Sequence, residues 1–192
     1  MKILLARHPV TKANIMGVIE HNLEGELHIS GYSQIKRLRD RLRKEKIGII
    51  YSSDAYRCRE LAVEIAEDRN IPINYIPLFR ELNHGDSFGK PKKDLDMLSL
   101  PNPEDFCPEG GESLRELAER SKEAFDYIVS QNYSTSLVIS HGWFLKMFVG
   151  NQIGMSILDA IKYLKFSNCA LSAMSLKEGN LIVEYLNDRS FL

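Results

Sequence analysis

Apolar residues occur in this 192-residue chain in two kinds of run. Short unbroken runs at residues 2–6, 48–51 and 136–140 lack alternation, which is the pattern of strands buried on both faces. A further run, 73–79, reads as a third strand, with Pro77 marking an early stop or an edge position. Between these lie stretches with helical spacing. Ile35, Leu38 and Leu42 fall on one face of a helix predicted from about 30 to 46. Leu61, Ala62, Ile65 and Ala66 do so in a helix from about 55 to 69, closed by Asn70-Ile71-Pro72. Leu114, Leu117, Ala118, Ser121, Phe125 and Ile128 stripe a third helix over 112–130, and another follows Gly142 to about residue 151. Residues 167–187 read as two strands joined at Lys177-Glu178-Gly179-Asn180. Strand and helix alternate, so the predicted fold is α/β: a three-layer α/β/α sandwich with a mostly parallel central sheet.

Two stretches break the pattern. Residues 9–29 are polar and predict a loop with one helical turn. Residues 80–110 hold four prolines and three glycines without periodicity. A loop of that length inside a compact domain is usually functional. The chain is therefore read as a single domain over 1–192 with a lid-like insertion at about 82–110.

Composition narrows the class. Hydrophobic residues make up 44%, enough for a core without staples, and the net charge is −1. No bulk excess of positive charge predicts nucleic-acid binding. The basic run Lys36–Lys46 is read as the solvated face of a helix whose other face is buried. Cys58, Cys107 and Cys169 are too far apart for a zinc or disulfide pattern and fit a reducing compartment. With no leader-like segment and no run of 18 apolar residues, the expectation is a cytoplasmic protein without a membrane span. The oligomeric state is open.

The chemistry sits where strands stop. The first ends in Arg7-His8, the second leads through Ser52-Ser53-Asp54 to Arg57, and 136–140 ends in Ser140-His141-Gly142. In a parallel sheet these clusters meet on one edge, where open α/β sheets bind ligands. Two arginines, two histidines and helix N-termini around one point suit a phosphoryl group, because a guanidinium fork matches two phosphate oxygens. Each piece alone is weak; their common placement carries the reading. His21, His28 and His84 read as exposed loop histidines, with contact to substrate the lesser alternative for His84 in the Glu81 loop, and Lys90, Lys92 and Lys93 as a solvated cluster, with a second anionic group as its alternative partner.

These motifs resemble those of the histidine phosphatase superfamily. Arg7-His8-Pro9-Val10-Thr11-Lys12-Ala13-Asn14 is similar to its Arg-His-Gly-x-Thr-x-x-Asn opening. Ser52-Ser53-Asp54-Ala55-Tyr56-Arg57, Glu81-Leu82 with Gly85, Gly110-Gly111-Glu112-Ser113 and Val138-Ile139-Ser140-His141-Gly142 follow in the family's order. Gly31-Tyr32-Ser33-Gln34 resembles its helix start. Pro9 replaces the usual glycine, Leu61 a common threonine, and Ser87-Phe88 the common Trp-Glu. The resemblance implies a phosphomonoester hydrolase acting on a small phosphorylated metabolite through a phosphohistidine. His8 would be the nucleophile and Glu81 the proton donor and acceptor. Arg7, Asn14, Arg57 and His141 would hold the phosphoryl oxygens, with no metal or other cofactor. The rival readings are a cofactor-dependent phosphoglycerate mutase, in which the stretch after Glu81 is longer than here, and a phospholigand-binding protein without turnover.

Overall fold

The computed structural model describes residues 1–95 and 97–192. Its order is β1 (Lys2–Arg7), α1 (Lys12–Met16), α2 (Ile29–Leu42), β2 (Ile49–Ser52), α3 (Tyr56–Ala66), β3 (Ile73–Tyr75), α4 (Leu114–Ser130), β4 (Thr135–Ser140), α5 (Gly142–Gln152), α6 (Ile157–Tyr163), β5 (Leu171–Lys177) and β6 (Asn180–Asp188). The six strands form one mixed sheet in the order β3-β2-β4-β1-β5-β6. Pairings among β1 to β4 are parallel, and the β5–β6 hairpin adds antiparallel to β1. Glu178 and Gly179, both at positive φ, make its two-residue turn.

Side-chain alternation along the inner strands splits the core in two. Ile3, Leu5, Ile49, Tyr51 and Val138 point to a layer built with α4, α5 and α6. Leu4, Ala6, Ile50, Leu137 and Ile139 point to the layer of α2 and α3. The sheet is thus covered on both faces, as the unbroken apolar strands require. No helix among the described residues is long and apolar enough to cross a membrane.

Several predicted boundaries move, each for a local reason. Helix α2 stops at Leu42 rather than near 46, because Arg69 donates to the Leu42 carbonyl (3.1 Å) and to that of Glu45. Strand β3 stops at Tyr75, and Pro77 opens a 3-10 turn over Pro77–Phe79 that buries Phe79. Helix α4 starts at Leu114 behind a Ser113–Glu116 capping box. Helix α6 was not anticipated. It buries only Ala160 and Ile161, too few for a stripe, yet Ser156 caps it by accepting from the Asp159 N–H. The Lys36–Lys46 run is partly neutralised, with Arg39 near Glu64, Glu67 and Asp68, Arg41 near Glu45 and Arg43 near Asp40.

The aperiodic segment from residue 80 is held by backbone contacts in place of regular structure. Glu112 N–H donates to the Asn83 carbonyl (2.8 Å), and Asp86 N–H to that of Glu109 (3.1 Å). Gly85 sits at φ +51°, where an added Cβ would fall 1.9 Å from the Glu109 carbonyl oxygen. Gly17 also has positive φ (+69°) but faces open space. Replacing Gly85 with alanine is therefore expected to lower unfolding free energy by roughly 2 kcal/mol or more, through strain plus overlap. Gly17→Ala, with strain alone, is expected to cost about 1 kcal/mol. Chemical denaturation of the two variants checks the order; equal losses would remove the role given to the 85–109 contact.

Candidate active site

Parallel register brings the strand ends together. Arg7 pairs with Ser140 across β1 and β4, and His8 N–H donates to the Ser140 carbonyl (2.9 Å). Across β2 and β4, Ser52 pairs with Ile139, so Ser53 and His141 also reach that edge. Here opens a cavity of about 420 Å³ lined by Arg7, His8, Asn14, Arg57 and Glu81 among others. His141 is fully buried behind it, its ring 5.2 Å from that of His8. All six residues singled out from the sequence thus converge on one place.

His8 has a defined tautomer. Its Nδ1 lies 2.7 Å from the Pro9 carbonyl oxygen, which only accepts, so Nδ1 carries the proton and Nε2 the lone pair. Burial, then Arg57 and Arg7, holds the His8 pKa well below the usual imidazole range, so the ring is neutral. Pro9 gives up a backbone N–H but supplies this carbonyl. Asn168, on the loop before β5, donates to the carbonyls of His8 (3.0 Å) and Pro9 (3.3 Å) and to Asn14 Oδ1 (3.1 Å).

Arg57 is buried near the N-terminus of α3 and held from several sides. Its guanidinium donates to the carbonyls of His21 (2.9 Å) and Glu24 (3.3 Å), and its Nε to His141 Nδ1 (3.3 Å). His141 Nδ1 is therefore the acceptor, and Nε2–H donates to Ser53 Oγ (2.9 Å). Burial first, then Arg57, His8 and Arg7, keeps His141 neutral. Arg7 donates to the Phe166 carbonyl (2.8 Å), while its Nε is buried without a partner. Burial lowers the Arg7 pKa, but a guanidinium remains charged.

Glu81 reaches the pocket from the other side. Its Oε1 accepts from the N–H groups of Leu82 (3.1 Å), Trp143 (3.0 Å) and Phe144 (3.0 Å), the last two at the start of α5. Oε2 receives only Trp143 N–H, at 3.2 Å. Arg120 on α4 fixes the backbone beneath, donating to the carbonyls of Leu78, Arg80 and Glu81 and pairing with Glu112. Asp54 takes a bidentate bond from Arg80 (2.7 and 2.5 Å), and this pairing lowers the Asp54 pKa. Asp54 therefore orients the irregular segment that carries Glu81.

Other residues in the wall were not singled out beforehand. His84, read as exposed, is buried at 9% exposure, and its Nδ1 has no partner. Lys92, read as solvated, lines the cavity with Lys146 and Lys165. Lys146 lies on the turn of α5 after Trp143, a spacing that could have flagged it.

Glu20 lines the cavity too. It accepts from Thr11 Oγ (2.9 Å), and its Oε2 lies 3.6 Å from Arg57 Nε. Its Oε1 is buried without a partner, in space left by Gly25, where a Cβ would come within 2.3 Å. Burial raises the Glu20 pKa against the pull of Arg57, Thr11, Lys92 and Arg7. A phosphate dianion at Arg57 repels the ionised carboxylate and favours its protonated form. Binding is then coupled to a proton and weakens as pH rises through the pKa of Glu20. Glu20→Gln is expected to bind inorganic phosphate with a shallower pH dependence, the gain over wild type growing toward alkaline pH. Titration calorimetry across pH reads this directly, and parallel curves for the two proteins would remove the coupling.

Comparison with known proteins agrees with this geometry. The adenosylcobalamin/alpha-ribazole phosphatase of Escherichia coli K12 is 25% identical over 99% of this chain and 97% of its own length. A metal-independent phosphoserine phosphatase from Arabidopsis thaliana is 28% identical over 100% and 83%. The crystal structure of a putative alpha-ribazole-5'-P phosphatase from E. coli superposes with a TM-score of 0.90, covering 98% of this chain and 97% of the other at 23% identity. The sequence profile of the histidine phosphatase superfamily (branch 1) matches residues 3–189, and the chain belongs to that family as an enzyme of the phosphatase type.

Proposed function

We propose that the chain hydrolyses small phosphomonoesters through a phosphohistidine formed on His8. The observation that carries this is the neutral His8 ring, whose Nδ1–H is given to the Pro9 carbonyl in a pocket lined by Arg7 and Arg57. Nε2 is thereby free as the nucleophile. It attacks phosphorus, the N–P bond forms, and the bond from phosphorus to the ester oxygen breaks. Arg7, Arg57 and Asn14 hold the non-bridging oxygens, which is the main demand of this chemistry. His141, whose two ring nitrogens engage Arg57 and Ser53, orients Arg57 from behind the cavity in place of the direct contact expected from the sequence. Glu81 gives a proton to the leaving alkoxide. Its Oε2 suits that task, since Oε1 already accepts three N–H groups. Water then attacks phosphorus, Glu81 takes its proton, the N–P bond breaks and inorganic phosphate leaves. No step uses a metal or other cofactor.

Residues 82–110 act in this reading as the lid over the pocket, within a single domain. The free thiols Cys58, Cys107 and Cys169 support a reducing, cytoplasmic setting. The partner is the small substrate rather than nucleic acid or membrane.

His8→Ala is expected to abolish both turnover and the acid-labile, alkali-stable label left by a radiolabelled ester after a rapid quench. Glu81→Gln is expected to slow an alkyl phosphate by roughly a hundredfold or more, and p-nitrophenyl phosphate much less, because nitrophenolate leaves without a proton. Full hydrolysis by His8→Ala would overturn the nucleophile. With a phosphoglycerate, net phosphate release without isomerised product would set the phosphatase apart from a mutase.

A further inference from the structure

One side chain in the cavity wall reaches both the His8-Pro9 backbone and Asn14. Asn168 lines the cavity from the loop before β5. Its Nδ2 lies 3.0 Å from the His8 carbonyl oxygen, 3.3 Å from that of Pro9 and 3.1 Å from Asn14 Oδ1. Backbone carbonyls only accept, so the amide nitrogen of Asn168 faces them, and its two N–H groups serve three oxygens. That orientation forces the next one. Asn14 Oδ1 accepts from Asn168 and from the Thr11 N–H (3.3 Å). The Asn14 amide nitrogen is therefore turned away from both and left as a donor for the cavity that Asn14 lines.

Pro9 gives Asn168 a second task. Proline has no N–H, so the carbonyl is the one polar group this residue offers. Of its two lone pairs, one takes His8 Nδ1–H at 2.7 Å and the other the longer bond from Asn168. These are its only hydrogen bonds among the described residues. The loop that presents Asn168 is itself tied down. Cys169 N–H donates to the Arg7 carbonyl (3.0 Å), and the Phe166 carbonyl accepts from Arg7 Nη1 (2.8 Å). Behind the loop, Ser167 N–H donates to Asn187 Oδ1 (2.7 Å), and Asn187 N–H to Ser172 Oγ (2.9 Å). Cys169 sits at φ +54°, a strained backbone for a residue with a side chain, and this strain adjoins the nucleophile's strand.

We propose that Asn168 is the positioning residue for the nucleophile. It holds the Pro9 carbonyl on His8 Nδ1–H, which keeps the lone pair on Nε2, and it aims the Asn14 carboxamide at the phosphoryl oxygens. This rests on the phosphatase reading above and extends it from the groups that touch substrate to the one that sets them. Without Asn168 the Pro9 carbonyl loses its second partner and is free to turn toward water. The His8 ring is then released toward its Nε2–H form, which has no lone pair with which to attack phosphorus.

The test follows ring and rate together in Asn168→Ala and in Asn168→Asp, which keeps the shape and carries no N–H when ionised. Nitrogen NMR of protein labelled in histidine identifies the His8 signals by their loss in His8→Ala. Wild type is expected to show Nδ1 protonated, and both variants a mixture of tautomers. Their kcat/KM is expected to fall about tenfold or more for ethyl phosphate and p-nitrophenyl phosphate alike, since attack by a well-placed His8 is common to both. Glu81→Gln, by contrast, separates the two esters. In a double-mutant cycle with Asn14→Ala the losses are expected to fall short of additive, because Asn168 acts in part through Asn14. An unshifted tautomer overturns the hold on His8, additive losses overturn the aim of Asn14, and a kcat/KM near that of wild type overturns both. If wild type hydrolyses neither ester, it is the phosphatase reading that has failed, and the nitrogen spectra still decide whether Asn168 sets the ring.

Discussion

The pairing of β1 with β4 is the constraint on which the site depends. It sets Arg7 opposite Ser140, and the His8 N–H to Ser140 carbonyl bond continues the ladder one step beyond the strand. A slip of β1 by one residue would turn Leu5 from one core layer to the other and carry His8 away from His141. The two apolar cores therefore hold the register of the site: the alternation that buries Ile3 and Leu5 on one face and Leu4 and Ala6 on the other opposes any one-residue slip. Stability and geometry have the same source here.

Much of the fold was readable because its signals are local and repeated. Four apolar strands, the stripes of α2, α3 and α4, and the Glu178-Gly179 turn each declare themselves within about ten residues. The site was readable for a different reason. Its polar residues interrupt apolar strands at their ends, so topology alone sends them to one edge. Glu81 follows the same logic less directly, since its placement depends on Arg80 meeting Asp54 and on Arg120 gripping the backbone from Leu78 to Glu81.

What the sequence conceals is whatever depends on long-range packing of irregular chain. His84 looks like any loop histidine until the contacts of Asn83 and Gly85 with Pro108–Glu112 press it inward. Glu20 sits in a polar stretch without periodicity, and only the space at Gly25 lets its carboxyl turn toward Arg57. Lys92 belongs to a run of basic residues, and its place at the rim comes from backbone pairing with residues 17–19. No local pattern encodes these placements, because none is set by helical or strand period.

The division of labour among the donors explains why the pocket can be ready before anything enters it. A guanidinium has five N–H donors, and two or three spent on protein carbonyls fix its plane while leaving the rest to face a ligand. Arg57 spends donors on His21, Glu24 and His141, and Arg7 one on Phe166. The buried, unpartnered Arg7 Nε then marks unfulfilled capacity within an otherwise satisfied frame. Rigid donors of this kind stabilise developing charge without reorganising during reaction. The carboxylate of Glu20 opposes them from the same wall and limits how tightly the product phosphate is held. A pocket of unopposed arginines would retain the dianion it releases, so one buried acid beside Arg57 favours turnover over binding.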